Sequence, residues 1–157
     1  MTQPIGNLVV RPAIASDAAA WRQMWADFVA LDTEKCPQSA TDFIWRNALD
    51  ASHPMKLLMA VEGEERLGFL LYTTHDFSRS VRPVAYLLDF YVIDVARGRG
   101  VGKALIAHLA ELGRATGWLK IYWMTQVDNV DARRLYDKFG QTSPLVRYDM
   151  QLNSYEA

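Results

Sequence analysis

Between Asp94 and Leu112 the chain reads DVARGRGVGKALIAHLAEL, which interleaves Gly98, Gly100 and Gly102 with Arg97, Arg99 and Lys103 and then becomes amphipathic. Cations at a helix start meet the partial positive charge of its exposed N–H groups, a cost of about 0.3 to 1 kcal/mol per group. The arrangement is favourable only when an anion completes it. Glycines let the backbone approach a ligand closely, consecutive N–H groups form a nest, and the helix terminus adds its own partial charge, a combination that suits a pyrophosphate.

Three phosphate-binding patterns compete for ARGRGVGKA. A P-loop requires glycine where Arg97 stands and Ser or Thr where Ala104 stands. The dinucleotide pattern G-x-G-x-x-G fails because its third glycine falls on Lys103 or Leu105, depending on the frame. What remains is Arg97-x-x-Gly100-x-Gly102, placed between a strand and a helix.

The elements that must position these residues follow from periodicity. LVVRPA reads as a first strand. Ser16 and Asp17 supply N-cap chemistry for a helix in which Trp21, Met24, Trp25, Phe28 and Val29 share one face. A second helix runs from Ser39 to Ala51. MKLLMAV and LGFLLYT form a hairpin across EGEER, where Gly63 can take positive φ. HDFSRSVRP reads as a loop and VAYLLDFYVI as a buried central strand. It leads into the glycine loop and a helix with Val101, Leu105, Leu109 and Leu112 on one stripe, stopped near Gly117. KIYWMTQ is another strand. DNVDARRLYDKFG is a short helix capped by Asp128 or Asn129 and ended by Gly140, and LVRYDMQL alternates as a final half-exposed strand. The order is βααβββαβαβ.

The chain of 157 residues fits one domain, 1–157, with 50% hydrophobic and 22% charged residues and a net charge of −1. That balance gives no field favouring nucleic acid or an anionic membrane. Neither the N-terminal residues nor VAYLLDFYVIDVA reads as a signal peptide or a membrane span, so a cytoplasmic location is expected. Cys36, the single cysteine, argues against an internal disulfide and against a Cys/His zinc pattern, and no metal is expected.

On Arg97-x-x-Gly100-x-Gly102 the chain resembles the GNAT N-acetyltransferase superfamily, whose acetyl-CoA motif is R/Q-x-x-G-x-G/A. VVRPAIASDAAAW resembles that family's opening, YLLDFYV its central strand, and DNVDARRLYDKFG its later segment with Asn129, Ala132, Tyr136 and Gly140 at matching spacing. The region 121–148 further resembles the branch of polyamine, amino-acid and histone-tail acetyltransferases. The resemblance implies an α/β (α+β type) fold: a mixed, mostly antiparallel central sheet flanked by helices, with two central strands splayed around the cofactor.

It further implies acetyl transfer from acetyl-CoA, as co-substrate, to a primary amine by direct attack in a ternary complex. Backbone groups of Phe90, Tyr91 and Val92 would meet the pantetheine arm. The N–H groups of Gly98, Arg99, Gly100, Val101, Gly102 and Lys103 would meet the pyrophosphate, with Arg97, Arg99 and Lys103 adding charge. Asn129 and Ala132 would lie along the arm, Lys138 would reach the nucleotide end, and Tyr136 would donate a proton to the departing thiolate. Polyamine-acetylating relatives often carry Glu before the strand aspartate. Here Leu88 stands there, which leaves Asp89 as the candidate base. The acceptor would be a small amine, amino acid, polyamine or basic peptide, met by the first two helices and the loop carrying Asp32 and Glu34. A homodimer is the family's common state. An acyl-CoA-binding module without catalysis is the alternative, and a nucleic-acid binder using Arg97, Arg99, Lys103, Arg133 and Arg134 is disfavoured by the neutral charge.

Overall fold

The computed structural model describes residues 6–32 and 34–155. Strands β1 (Leu8–Pro12), β2 (Met55–Glu62), β3 (Glu65–Phe77), β4 (Ser80–Val92) and β5 (Ile121–Tyr122) form one sheet in sequence order, antiparallel except for the β4–β5 pair. Helices α1 (Ala18–Val29) and α2 (Gln38–Leu49) cover one face, α3 (Val101–Thr116) covers the other, and α4 (Val130–Tyr136) follows β5. The fold is mixed α/β as expected.

Each sheet face is buried by a helix stripe that the sequence spells out. Trp21, Met24 and Trp25 of α1 pack with Leu57, Met59, Phe69, Leu71 and Tyr91. Trp21 is fully buried, stacked on Trp25 and Trp45 at ring distances of 5.5 and 5.2 Å. These tryptophans are therefore core. On the opposite face Val101, Leu105 and Leu109 pack with Leu58, Leu70, Leu87 and Val92. Gly117, at φ 81°, closes α3 with left-handed backbone that suits glycine, and Gly63, at φ 58°, turns the β2–β3 hairpin.

Three expectations change. The segment HDFSRSVRP is not a loop: β3 runs to Phe77 and β4 starts at Ser80, so only a two-residue turn separates them. Long-range contacts outweigh its polar composition there, since His75 bonds to Tyr122 and Lys120 lies 4.8 Å over the Phe77 ring. LVRYDMQL forms no strand. β5 is two residues long and offers no extended edge to pair with, and Tyr148 stands 91% exposed. The element order among the described residues is therefore βααβββαβα.

Asp17 also does something other than cap α1. Its carboxylate, wholly inaccessible to solvent, accepts from Arg11 (2.7 and 2.9 Å), Arg66 (2.9 Å) and the Ile14 N–H (2.9 Å). These bonds tie β1, the start of α1 and β3 together. Burial pushes the carboxyl up, but the hydrogen bonds from Arg11, Ile14 and Arg66 outweigh it and hold Asp17 at about 2, against 3.8 ordinarily. A depressed acid stabilises the fold above its unfolded value and loses that contribution as pH falls through the folded one. Asp17→Asn should therefore lower stability by about 3 kcal/mol, on the order of a 10 °C drop in Tm. In chemical denaturation between pH 4 and 2 the native chain should lose stability more steeply than the variant.

Candidate active site

The site begins where a ladder stops. β4 pairs with β3 as far as the Gly68–Val92 rung, whereas its other edge pairs with β5 at only two rungs, Ala85–Ile121 and Tyr86–Tyr122. Beyond Tyr86 no strand among the described residues bonds the outer edge of β4, so Phe90, Tyr91 and Val92 border an opening between the two strands. This is the splay that the family resemblance implies.

Next to the opening lies the glycine loop. Gly98 and Gly100 take φ values of 72° and 92°, and α3 starts directly after them. Among the described residues no backbone carbonyl accepts from the N–H of Gly98 or from those of Gly100, Val101, Gly102 and Lys103, while the Arg99 N–H bonds weakly back to Ala96 O at 3.4 Å. The set of orphan donors fits an anionic group such as a pyrophosphate. Gly102 has a packing reason as well: a Cβ there would stand 2.9 Å from Phe90 Cζ and 3.1 Å from Leu135 Cδ2. Its absence lets α3 close onto β4 and α4 together.

The cations are not equivalent. Arg97 donates to Val92 O (3.1 Å), pairs with Asp94 (2.9 Å) and lies 5.6 Å over the Tyr91 ring. Arg99 reaches Glu62 at the end of β2 (3.3 Å). Two of the three cations thus have internal counter-ions, while Lys103 is exposed on the first turn of α3. Glu62 is a site neighbour that sequence reasoning missed, because its proximity depends on the hairpin folding back beside the loop.

Tyr136 stands where α4 meets the opening, edge-on to Phe90 (6.4 Å) and Trp123 (5.5 Å), and burial pushes its phenol up. A raised phenol is a proton donor at neutral pH. Asn129 caps α4, accepting from the Ala132 N–H (3.4 Å) and donating to Thr125 (3.3 Å). Lys138 is exposed just after α4.

Asp89 lies on the other face. Leu71 pairs with Asp89 and Tyr72 with Leu87, which leaves Leu88 as an extra residue, a bulge in β4. Leu88 packs with the α1–α2 cluster, and Asp89 shares a rung with Leu71 of that cluster, so the bulge turns both toward the same side. Burial, with the charge of Asp32 adding to it, pushes the Asp89 carboxyl up to about 6. It has no hydrogen bond or ion pair to another described residue. A half-buried carboxylate with open valences and a pKa near neutrality can take a proton from a ligand.

The ladder cut short, the glycine loop beside it, Tyr136 on one face and Asp89 on the other thus all lie around the end of β4. The chain belongs to the acetyltransferase (GNAT) family, whose model matches residues 18–141. It is 27% identical over 144 residues to the D-amino-acid N-acetyltransferase HPA3 of Saccharomyces cerevisiae, covering 90% of this chain and 89% of that protein. It is 28% identical to an aminoglycoside N(6')-acetyltransferase type 1 of Stenotrophomonas maltophilia, covering 91% and 93%. Its fold matches the structure of AAC(6')-Iy in complex with the bisubstrate analog CoA-S-monomethyl-acetylneamine, with a TM-score of 0.78 at 21% identity, covering 94% and 100%. The protein is thus an N-acetyltransferase by family, and the family's acyl donor is acetyl-CoA. Among the described residues no cluster of His, Cys, Asp and Glu could hold a metal ion, and no helix is long and apolar enough to cross a membrane.

The loop makes a quantitative demand. Gly100→Ala places a side chain at φ 92°, and should cost about 1 to 3 kcal/mol. It should also weaken acetyl-CoA binding in calorimetry by more than Lys103→Ala does, because it disturbs the nest rather than one exposed charge.

Proposed function

We propose that the protein transfers the acetyl group of acetyl-CoA to a primary amine of a small molecule or peptide by direct attack in a ternary complex. The observation that carries this reading is the opening beside β4, with the orphan N–H groups at one end, Tyr136 along its wall and Asp89 on the opposite face. The N–H groups of Gly98, Gly100, Val101, Gly102 and Lys103 would hold the pyrophosphate of acetyl-CoA, and the free edge at Phe90, Tyr91 and Val92 would meet its pantetheine amides. Bound there, the cofactor supplies a thioester carbonyl open to nucleophilic attack.

An alkyl ammonium, with a reference pKa of about 10.4, has no lone pair to attack with at neutral pH. Asp89, directly or through a water, takes its proton. Tyr136 donates to the leaving sulfur, a contribution of roughly a hundred- to ten-thousand-fold. The relatives' names, an acetyltransferase of D-amino acids and one of aminoglycosides, support an acceptor that is a small polar amine. A second reading, an acyl-CoA-binding module without turnover, is motivated by Leu88, which leaves no second carboxylate beside Asp89. Sustained release of CoA thiol with any amine of a broad panel rules that reading out.

Tyr136→Phe should reduce kcat by about a hundredfold or more while acetyl-CoA still raises the melting temperature; full turnover across pH would remove Tyr136 from the mechanism. Because the Asp89 carboxyl is raised to about 6, it ionises as pH rises through that value. The kcat/KM profile should therefore show an ascending limb near pH 6, and Asp89→Asn should lack it.

A further inference from the structure

The face of the sheet that carries Asp89 holds a second group of side chains, at the closed end of the same opening. Tyr86 and Tyr122 form the last rung of the β4–β5 ladder, and their rings stack at 4.9 Å with 20° between planes. They lie on the α1–α2 side: Tyr86 pairs across β3 with Thr73, Thr73 with Met55, and Met55 packs against the α1–α2 cluster. His75 of β3 reaches across, its ring edge-on to Tyr122 at 5.8 Å.

The hydrogen bonds of this group have one consistent polarity. His75 Nδ1 lies 2.8 Å from the carbonyl oxygen of Asp76, which can only accept, so Nδ1 bears the proton of the neutral ring. Nε2 then presents a lone pair, and the Tyr122 hydroxyl, 2.8 Å away, must donate to it. With its proton committed, Tyr122 Oη can only accept from a ligand. Tyr122 is 37% exposed, and its bond to His75 lies at the surface.

The surroundings have the same character. Tyr86 senses the charge of Asp89, and Asp89 that of Asp32. Arg147, the cation whose charge also reaches Tyr86, is already paired with Asp149 at 2.7 Å and leans on Met124 Sδ at 3.8 Å. The charges that reach this end are thus those of Asp89 and Asp32 and of an Arg147 already paired with Asp149.

We propose that Tyr122, held as an acceptor by His75, is a specificity-determining residue that receives a hydrogen bond from a hydroxyl or second ammonium neighbouring the reacting amine. The preferred acceptors are donor-rich amines such as diamines and amino alcohols, over plain alkylamines and over amino acids with a carboxylate at that position. The inference rests on the acetyl-transfer reading above. Tyr122 binds the acceptor through its oxygen, and His75 acts through Tyr122, as a positioning residue.

The test is steady-state acetylation by the full chain, its Tyr122→Phe variant and its His75→Ala variant, with 1,3-diaminopropane, 1-amino-3-propanol, propylamine and β-alanine as acceptors. The native chain should favour the diamine and the amino alcohol over propylamine in kcat/KM. Tyr122→Phe should shrink that ratio roughly ten- to a hundredfold for the diamine, the loss of one charge-assisted bond, and about threefold to tenfold for the amino alcohol, whose bond is neutral. His75→Ala, which frees the Tyr122 proton, should shrink it in the same direction by less. The acetyl-CoA-induced rise in melting temperature, retained in both variants, checks that the cofactor site is intact. A mere loss of packing would lower kcat/KM for all four acceptors alike, and that result overturns the proposal, as does an unchanged ratio or a native preference for β-alanine. No turnover of any amine by the native chain would instead overturn the acetyl-transfer reading itself.

Discussion

Backbone groups that leave a ladder must find other partners or face water. In this protein the decisive case is the outer edge of β4, whose pairing with β5 stops at Tyr86 and Tyr122 although the strand continues to Val92. Everything that can do chemistry is arranged around that stop. The glycine loop follows at the end of the free edge, α4 brings Tyr136 to its wall, and the stacked tyrosines close its other end. The β4 bulge at Leu88 acts in the same place, turning Asp89 to the face opposite Tyr136.

Two of the three cations around the glycine loop are balanced within the fold. Arg97 and Arg99 would be unfavourable at the start of α3 if they stood alone. Asp94 and Glu62 neutralise them, and the carbonyl of Val92 fixes the Arg97 guanidinium against the strand. The N–H groups of the loop that lack a backbone partner are fixed by backbone geometry rather than by flexible side chains. Far from this loop, Asp17 joins β1, β3 and the entry to α1 through two arginines. That connection keeps α1, which packs against Phe69 and Tyr91, in register with the sheet face bearing Asp89.

Much of this was legible in the chain. Helical periodicity located α1 and α3 and their buried stripes, Gly63 and Gly117 marked turns that need positive φ, and Asn129 marked the start of α4. Each of these signals is local: a face, a cap or a backbone conformation set by a few neighbouring residues. The failures are equally consistent. His75 to Pro83 reads as a polar loop, yet Phe77 and His75 find partners on Lys120 and Tyr122, more than forty residues away. LVRYDMQL has the alternation of a strand but no edge beside it.

The sequence by itself therefore determined the family and the order of its main elements, because these depend on residue type at short spacing. Only the tertiary structure decided which sheet face receives Asp89, since one bulged residue moves a side chain across the sheet and nothing local in YLLDFYV marks it. It alone decided the partners of Arg99 and Tyr122. Glu62 and His75 lie far from them in sequence, and a hydrogen bond exists only once strand pairing has brought donor and acceptor within 3.5 Å.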